Sequence, residues 1–305
     1  MALSPRARWR LDQIGKKMSG LFGSRSEQPR PQLCPACRTL VGANATKCHQ
    51  CGANLNFSLA AASRSLSGLM PATSPATYAI LTVSCLIYFV TLLLTVRESG
   101  FQGLSGGLFN IGGISGEVLQ RAGASLPWPV NRMEPWRLVT AVFLHAGLLH
   151  IGFNMWVLMD IGPQIEELYG SARYLFMYVV AGVGGYVLSS LFGNFSVGGS
   201  GAIVGLIGVL LAVTTGRRSA GMQMVRKGII RWLIYLAVWG LIVRGIDNYA
   251  HFGGLATGFV LGKIMIDQPP LAPEERTRAY ALGWGTALIV VASFGMVVFK
   301  IFGGG

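Results

Sequence analysis

A serine and a histidine each stand at the beginning of an apolar run, 51 positions apart in the chain. Ser200 lies within the glycine-rich stretch 198–201 and opens a run that extends to Val213, and His251 follows Ala250 at the start of another run. Glycines before the serine suit a backbone that turns and approaches another group closely. If both runs are helices that begin at the same depth, the imidazole takes the serine proton and makes the hydroxyl a nucleophile. The pattern predicts a catalytic Ser–His dyad, although a serine is also tolerated in a membrane helix when it bonds to its own backbone.

Two further polar residues, His150 and Asn154, stand four positions apart near the start of another apolar run. Residues at this spacing share one face of a helix, and both side chains carry an N–H donor. Together with the backbone N–H of Ser200, they are predicted to surround the oxyanion that forms when a serine attacks a carbonyl. The competing interpretation is that both are buried polar groups that tie helices together. His145 lies off this face, so it is expected to be a structural hydrogen-bonding residue.

No acidic residue has a clear claim to orient the histidine. Asp247 lies one turn before His251 but on a predicted loop, and Glu166 is expected on the opposite side of the membrane. The sequence therefore predicts a dyad rather than a triad. The histidine spacing HxxxxH also differs from the HExxH of zinc proteases, so a metalloprotease is disfavoured.

A Ser–His hydrogen bond of about 2.6–3.2 Å requires that the two helices pack closely. Glycines recur every four residues along both runs, at Gly201 and Gly205 in the first and at Gly254, Gly258 and Gly262 in the second. Such small-residue stripes let the backbones of membrane helices approach each other. The stripes therefore predict that the serine and histidine helices are direct neighbours.

Four of the five cysteines form two CxxC pairs separated by ten residues, at Cys34, Cys37, Cys48 and Cys51. Each CxxC turn can direct two thiolates at one ion, and two such turns complete a tetrahedral shell of four sulfurs. The spacing predicts a structural zinc site of the zinc-ribbon type, with no open position for chemistry. A redox dithiol is the alternative, and His49 could replace one of the cysteine ligands.

The composition indicates an integral membrane protein. Of the 305 residues, 52% are hydrophobic and only 12% are charged, whereas soluble domains average about 25% charged residues. A spanning helix needs ~20 predominantly apolar residues. Seven segments approach this length, namely 77–96, 146–162, 172–192, 200–215, 228–244, 250–266 and 280–301.

The lysines and arginines are distributed unevenly between the two sides of these segments. With the N-terminus in the cytoplasm, nineteen of the 25 basic residues lie on the cytoplasmic side, as expected for membrane proteins in general. The C-terminus then lies outside. This orientation depends only on the lysines and arginines. It nevertheless places both Ser200 and His251 at the outer ends of their helices.

The N-terminal quarter is organised differently from the membrane segments. Residues 1–33 are predicted to be a basic disordered tail, which either remains solvated or forms a short helix on anionic lipid. Residues 34–52 form the zinc-ribbon-like module, and 53–76 form a linker that precedes the membrane domain at 77–301. No cleavable signal peptide and no organelle-targeting signal are apparent. A prokaryotic plasma membrane is therefore expected, with no nucleic-acid partner.

These residues resemble the rhomboid intramembrane serine proteases over positions 77–301. The resemblance rests on five motifs in the family's order, which are Trp136-Arg137, His150-xxx-Asn154, Gly162-xxx-Glu166-xxx-Gly170, Gly198-Gly199-Ser200-Gly201 and Ala250-His251-xx-Gly254-xxx-Gly258. It implies an all-α polytopic membrane protein, with a six-helix bundle and a seventh C-terminal helix as in the "6+1" members. The zinc ribbon is not part of the family's core pattern.

The resemblance also implies an activity. It makes Ser200 the nucleophile and His251 the base, and it assigns oxyanion stabilisation to His150, Asn154 and the Ser200 N–H. The implied substrates are single-pass transmembrane proteins, which are cut near the outer face of the bilayer without a catalytic cofactor. It further implies that the connection 97–135 lies partly in the outer leaflet and that Arg137 and Glu166 are structural.

Two other functions compete with that of a protease. A non-catalytic rhomboid-like protein would bind transmembrane segments for quality control, but such relatives lack the nucleophile or the base, and this chain has both. A transporter is less favoured, because the apolar segments contain few charged residues that could couple ions. The zinc ribbon is expected to recruit a cytoplasmic partner, to regulate the core, or only to cap the N-terminus.

Overall fold

A computed structural model describes residues 32–34, 39–42, 45–52, 55, 74–100, 112–217, 219–243, 245–265 and 268–303. The chain divides into two compact units, residues 1–58 and 59–305. Most of the predicted basic tail and of the predicted linker lies outside the described residues, so both stay predictions.

The first unit contains a two-stranded antiparallel sheet, in which β1 (Gln32–Leu33) pairs with β2 (Leu40–Val41). Its buried side chains include Cys34, Val41 and Cys48. So small an apolar cluster contributes little burial free energy. Among the described residues of this unit, the two buried cysteines are candidates for a metal site that would add stability.

The second unit is helical. Seven long helices overlap the seven predicted segments, with ends that differ from the predicted ones, and the fold confirms an all-α polytopic architecture. Three of the long helices (the first, the third and the last) are long and apolar enough to cross a membrane by length and composition. In chain order the ten helices described are α1 (Pro75–Ser99), α2 (Gly116–Arg121), α3 (Trp128–Met133), α4 (Arg137–Thr140), α5 (Leu148–Tyr169), α6 (Ser171–Leu191), α7 (Ser200–Thr214), α8 (Ala220–Ile242), α9 (Asn248–Ile264) and α10 (Pro273–Gly303).

Two helices begin well before the apolar segments that predicted them. Helix α8 begins at Ala220 rather than at 228, and α10 begins at Pro273 rather than at 280. Hydropathy marks only the apolar part of a helix, whereas the backbone ladder continues into polar residues when the end is capped. The hydroxyl of Ser219 accepts a hydrogen bond from the N–H of Met222 and caps α8, as short hydroxyl side chains commonly do.

The connection between α1 and α5 contains the three short helices α2–α4, which hydropathy did not reveal. Each has four to six residues, too few for an amphipathic repeat to be recognised. The described part of this connection is held by buried polar contacts instead. Asn131 is fully buried, and its amide accepts from the N–H of Leu126 and donates to Ser125. The depth of this connection in a bilayer stays a prediction.

Helices α6, α7 and α9 form the packed centre of the unit, and glycines set how closely they approach. A Cβ added at Gly258 would overlap the carbonyl oxygen of Gly205, and one added at Gly254 would overlap the carbonyl of Gly201. Gly262 lies in the same way against the backbone of Val209. The predicted small-residue stripes therefore do face each other, and they bring α7 and α9 into backbone contact.

Glu166 of the Gly–Glu–Gly motif connects α5 to the start of α1. The carboxylate of Glu166 accepts hydrogen bonds from the backbone N–H groups of Ala76 (2.9 Å) and Thr77 (2.8 Å) and from the Thr77 hydroxyl (2.7 Å). It thereby satisfies donors that the first turn of α1 leaves unpaired. A Cβ at Gly162 would lie 2.8 Å from the hydroxyl of Tyr174. The absence of a side chain at Gly162 therefore lets α5 approach the Tyr174 hydroxyl closely. These contacts give Glu166 a structural role, as the family resemblance implied.

Candidate active site and metal centre

The structure brings the predicted nucleophile and base together. Ser200 Oγ lies 2.9 Å from His251 Nε2, within the range expected for such a pair. Ser200 is the first residue of α7, and His251 lies in the first turn of α9. When the hydroxyl donates to an unprotonated Nε2, as the base role requires, the ring proton lies on Nδ1. Among the described residues, Nδ1 has no hydrogen-bond partner.

This short distance follows from the helix contact directly beneath it. A Cβ at Gly201 would lie 3.2 Å from the carbonyl oxygen of Ala250, the residue that precedes the histidine. Gly201 and Gly254 are in backbone contact one turn further along. The backbones of α7 and α9 are therefore in contact next to Ser200 and His251. Across so short a separation, the two side chains can form the hydrogen bond.

Asp247 has a role that the sequence did not reveal. It is the N-cap of α9, where one carboxylate oxygen accepts from the N–H of Ala250 (3.0 Å) and the other from the hydroxyl of Ser189 in α6. This carboxylate therefore fixes the start of the histidine helix to its neighbour. The signal was an Asp three residues before the predicted apolar segment, because Asp is a common N-cap residue.

The predicted oxyanion donors face the loop before the serine. A Cβ at Gly198 would lie 2.6 Å from His150 Nε2 and 3.8 Å from Asn154 Nδ2. Gly198 has a φ of +130°, which side-chain-bearing residues rarely adopt. A side chain at this position would overlap the His150 imidazole, so the glycine lets the loop backbone pack directly against the two donors.

Hydrogen bonds around these two side chains determine which atoms donate. His150 Nδ1 accepts from the N–H of Ala146 (3.4 Å), so the ring proton lies on Nε2, the atom nearest to Gly198. The Asn154 amide donates one N–H to the carbonyl of His150 (2.9 Å) and has a second N–H to offer. The N–H of Ser200 lies in the first turn of α7, where no acceptor exists within the helix and the helix dipole favours negative charge.

The loop before the serine is held from several sides. Ser196 and Ser125 exchange two backbone hydrogen bonds of 3.0 Å. The Gly198 N–H donates to the carbonyl of Ala141 (2.9 Å), and the Gly198 carbonyl accepts from the hydroxyl of Tyr186 (2.6 Å). Sequence reasoning missed Tyr186, although a phenol within an apolar helix signals a hydrogen-bond partner.

His145 is a structural hydrogen-bonding residue, as predicted from its position off the donor face. It is fully buried. Its Nδ1 donates to the carbonyl of Phe143 (3.3 Å), and its Nε2 accepts from the N–H of Gly199 (3.4 Å). Its ring lies edge-on to that of His150, with centroids 5.2 Å apart. It therefore positions both the loop and one of the candidate donors.

Three of the four predicted metal ligands lie together in the first unit. The sulfurs of Cys34, Cys48 and Cys51 all lie within 4.8 Å of one another, and those of Cys34 and Cys51 are 3.6 Å apart. These three thiols are close enough to hold one metal ion. Cys37 lies outside the described residues, so its place as the fourth ligand stays a prediction. Cys85 lies apart on α1 and is exposed.

The sequence is similar to known proteins across most of the second unit. The family model described as the Rhomboid domain matches residues 132–268. The chain is 34% identical to "RHOMBOID-like protein 6, mitochondrial" of Arabidopsis thaliana, over 68% of this chain and 74% of that protein. It is 38% identical to "Rhomboid protease GluP" of Bacillus subtilis, over 49% of this chain and 30% of that protein. It is 35% identical to "RHOMBOID-like protein 4" of Arabidopsis thaliana, over 55% of this chain and 47% of that protein. The match thus spans less than half of the last two relatives.

Proposed function

This chain belongs to the rhomboid family, and on that premise we propose that it is an intramembrane serine endopeptidase. The observation that carries the proposal is the 2.9 Å contact between Ser200 Oγ and His251 Nε2, next to donors that face a glycine. Relatives named rhomboid proteases support the same kind of activity. Since function depends on the site rather than on the fold, the presence of nucleophile, base and donors favours catalysis over mere binding of transmembrane segments.

The proposed mechanism is acyl transfer through a covalent intermediate. His251 takes the proton of Ser200 as its oxygen attacks the carbonyl carbon of the scissile peptide bond. The carbonyl oxygen becomes an oxyanion, which accepts hydrogen bonds from the Ser200 N–H, His150 and Asn154. His251 then gives the proton to the leaving amine as the C–N bond breaks. A water molecule, deprotonated by the same imidazole, releases the acyl group and regenerates the serine.

The proposed substrates are single-pass transmembrane proteins. A helix in a bilayer satisfies its own carbonyls and N–H groups, so a peptide bond must leave the helix before a serine can attack it. Residues that destabilise helices near the cleavage site would assist this step. The dyad lies at one end of α7 and α9, where water can enter, and this suits cleavage near a membrane face rather than at its centre.

The chain is an integral membrane protein, and we propose the orientation that its charges favour. The N-terminus lies in the cytoplasm, and the active site opens toward the outer face. The proposed location is a prokaryotic plasma membrane. The name of one Arabidopsis relative makes a mitochondrial membrane the competing location, and fractionation of the native cell distinguishes the two.

A cleavage assay tests the proposed activity. The purified chain is reconstituted in liposomes with single-pass reporter proteins that carry helix-destabilising residues near the outer end of the spanning segment. We expect two fragments whose masses place the cut near the outer face. Intact reporters in the presence of folded, correctly oriented protein would favour a non-catalytic binding protein instead.

The amide of Asn154 is expected to act on the transition state rather than on substrate binding. Asn154→Ala should lower kcat by about 10²–10³-fold, the effect of removing one oxyanion donor, with KM little changed. Gln164→Ala is a matched control, because the Gln164 amide also donates to the carbonyl four residues earlier on α5, at 2.9 Å. Its kcat should equal that of the unmodified chain. An Asn154→Ala variant with normal kcat would contradict the assignment.

We propose that the first unit binds one zinc ion through Cys34, Cys37, Cys48 and Cys51. The three described thiols converge within one coordination sphere, and a shell of four thiolates suits zinc in a structural site. The ion would supply folding free energy to a unit with little apolar core, and it takes no part in the proposed peptide cleavage. The zinc-ribbon-like surface is the proposed binding site for a cytoplasmic protein partner.

Loss of one ligand is expected to remove the metal. Elemental analysis of the purified chain should give about one zinc per molecule, and Cys48→Ser should reduce this to near zero and make the first unit sensitive to protease. Cys85→Ser is the matched control, because this cysteine lies outside the cluster, and its zinc content should be unchanged. Full zinc retention in Cys48→Ser would show that the cluster is not the site.

A further inference from the structure

The outer end of α10 makes polar contact with the connection between α1 and α5. The ammonium of Lys300 pairs with the carboxylate of Glu134, and it also lies 5.8 Å from the centroid of the Trp136 ring. Glu134 is largely buried, with 15% of its side chain exposed. A lysine that only reached toward a membrane surface would not require a buried acid and an aromatic ring as partners.

Apolar packing supports the same contact. A Cβ added at Gly123 would lie 2.9 Å from a methyl group of Val297, and Gly123 has a φ of +98°. The rings of Phe294 and Phe143 meet edge to face, with centroids 6.1 Å apart. Three positions on one face of α10, at 294, 297 and 300, therefore contact the connection. The ion pair forms at the end of this packed interface, where the Lys300 side chain is half exposed and Glu134 is the more buried partner.

Glu134 passes this contact on to Arg137. The Arg137 guanidinium pairs with the Glu134 carboxylate, and it donates to the carbonyls of Gln120 (2.6 Å) and Ala124 (3.2 Å). Burial by itself would raise the pKa of Glu134, but the hydrogen bonds from Lys300 and Arg137 hold that pKa below its ordinary value. The carboxylate is therefore charged at neutral pH and bridges two cations.

The backbone segment that Arg137 contacts is hydrogen-bonded to the loop before the nucleophile. Ala124 precedes Ser125, and Ser125 exchanges two backbone hydrogen bonds with Ser196. Gly198, two residues further, faces the candidate oxyanion donors. An uninterrupted series of contacts thus runs from the last helix to the oxyanion loop, which we define as residues 196–199.

We propose that Lys300 is a positioning residue, which holds the oxyanion loop in its productive place through Glu134 and Arg137. Helix α10, the last of the seven long helices, then supports catalysis, although it contributes no group to the site. The kinetic part of this proposal rests on the proposed protease activity, whereas the effect on loop order does not. Loss of the ammonium would leave Glu134 with one cation, and it would free the outer end of α10 from the connection.

The test compares Lys300→Gln, which removes the charge, with Lys300→Arg, which keeps it. Lys263→Gln is the matched control, because the Lys263 ammonium also lies over a ring, that of Phe259 at 5.6 Å, but at the other end of the bundle. Full-length proteins in liposomes are compared by hydrogen exchange of the oxyanion loop, by kcat and KM, and by Tm.

We expect Lys300→Gln to speed amide exchange at Ser196 and to lower kcat about three- to tenfold, as for a partly buried ion pair within a network. KM and Tm should change little. Lys300→Arg should restore the exchange rate and kcat, and Lys263→Gln should match the unmodified chain. Unchanged exchange in Lys300→Gln overturns the proposal, as does failure of Lys300→Arg to restore it. Faster exchange in a chain without any protease activity would instead refute the proposed function and leave the positioning role intact.

Discussion

Replacing Ser200 by alanine is expected to abolish both peptide cleavage and labelling by a fluorophosphonate, which reacts covalently with an activated serine. The nucleophile forms the acyl intermediate, so its loss should lower kcat by at least about 10⁴-fold. His251→Ala should have a similar effect, because an unassisted hydroxyl is a weak nucleophile. Gel fluorescence of the labelled protein and the cleavage assay measure these two effects independently.

Ser190→Ala is the control for this prediction. Ser190 is another buried serine, and among the described residues its hydroxyl donates to the carbonyl of Val187, at 2.9 Å. This variant should keep full labelling, which would show that loss of labelling in Ser200→Ala is specific to one hydroxyl. Labelling of Ser200→Ala at the original level would place the reactive serine elsewhere and remove the basis for the dyad.

Substitution of Gly258 by valine should disrupt the contact between α7 and α9. The added Cβ would overlap the carbonyl oxygen of Gly205, and a backbone atom in a helix cannot turn aside as a side chain can. Overpacking costs about 3 kcal/mol or more, which corresponds to a decrease in Tm of roughly 10 °C for a domain of this size. The Ser–His distance would also grow, so fluorophosphonate labelling should be lost even where the protein stays folded.

Gly295→Val provides the matched control on α10. A Cβ at Gly295 would meet no atom within 4 Å among the described residues, so valine there replaces a helical glycine without a steric conflict. Its Tm and its labelling should remain close to those of the unmodified chain. Equal effects of the two substitutions would show that valine acts through helix propensity and not through helix contact.

Much of this protein was readable from features that are local in sequence. Apolar length identified the seven long helices, and the four-residue spacing of Gly254, Gly258 and Gly262 identified the face on which α9 packs. The basic residues suggested one depth for Ser200 and His251, which the structure brings to 2.9 Å. Periodicity and length are properties of a single segment, so no knowledge of the partner helix was required.

Other features were decided only by the tertiary structure. The sequence gives no sign that Lys300 meets Glu134, or that Tyr186 holds the carbonyl of Gly198, because these partners are far apart along the chain. The backbone pairing of Ser125 with Ser196 leaves even less trace, since backbone donors and acceptors are the same in nearly every residue. Sequence therefore predicted the seven long helices and the side chains that could react. The tertiary structure determined how the loop around the reactive serine is held, because that depends on contacts whose partners no local pattern specifies.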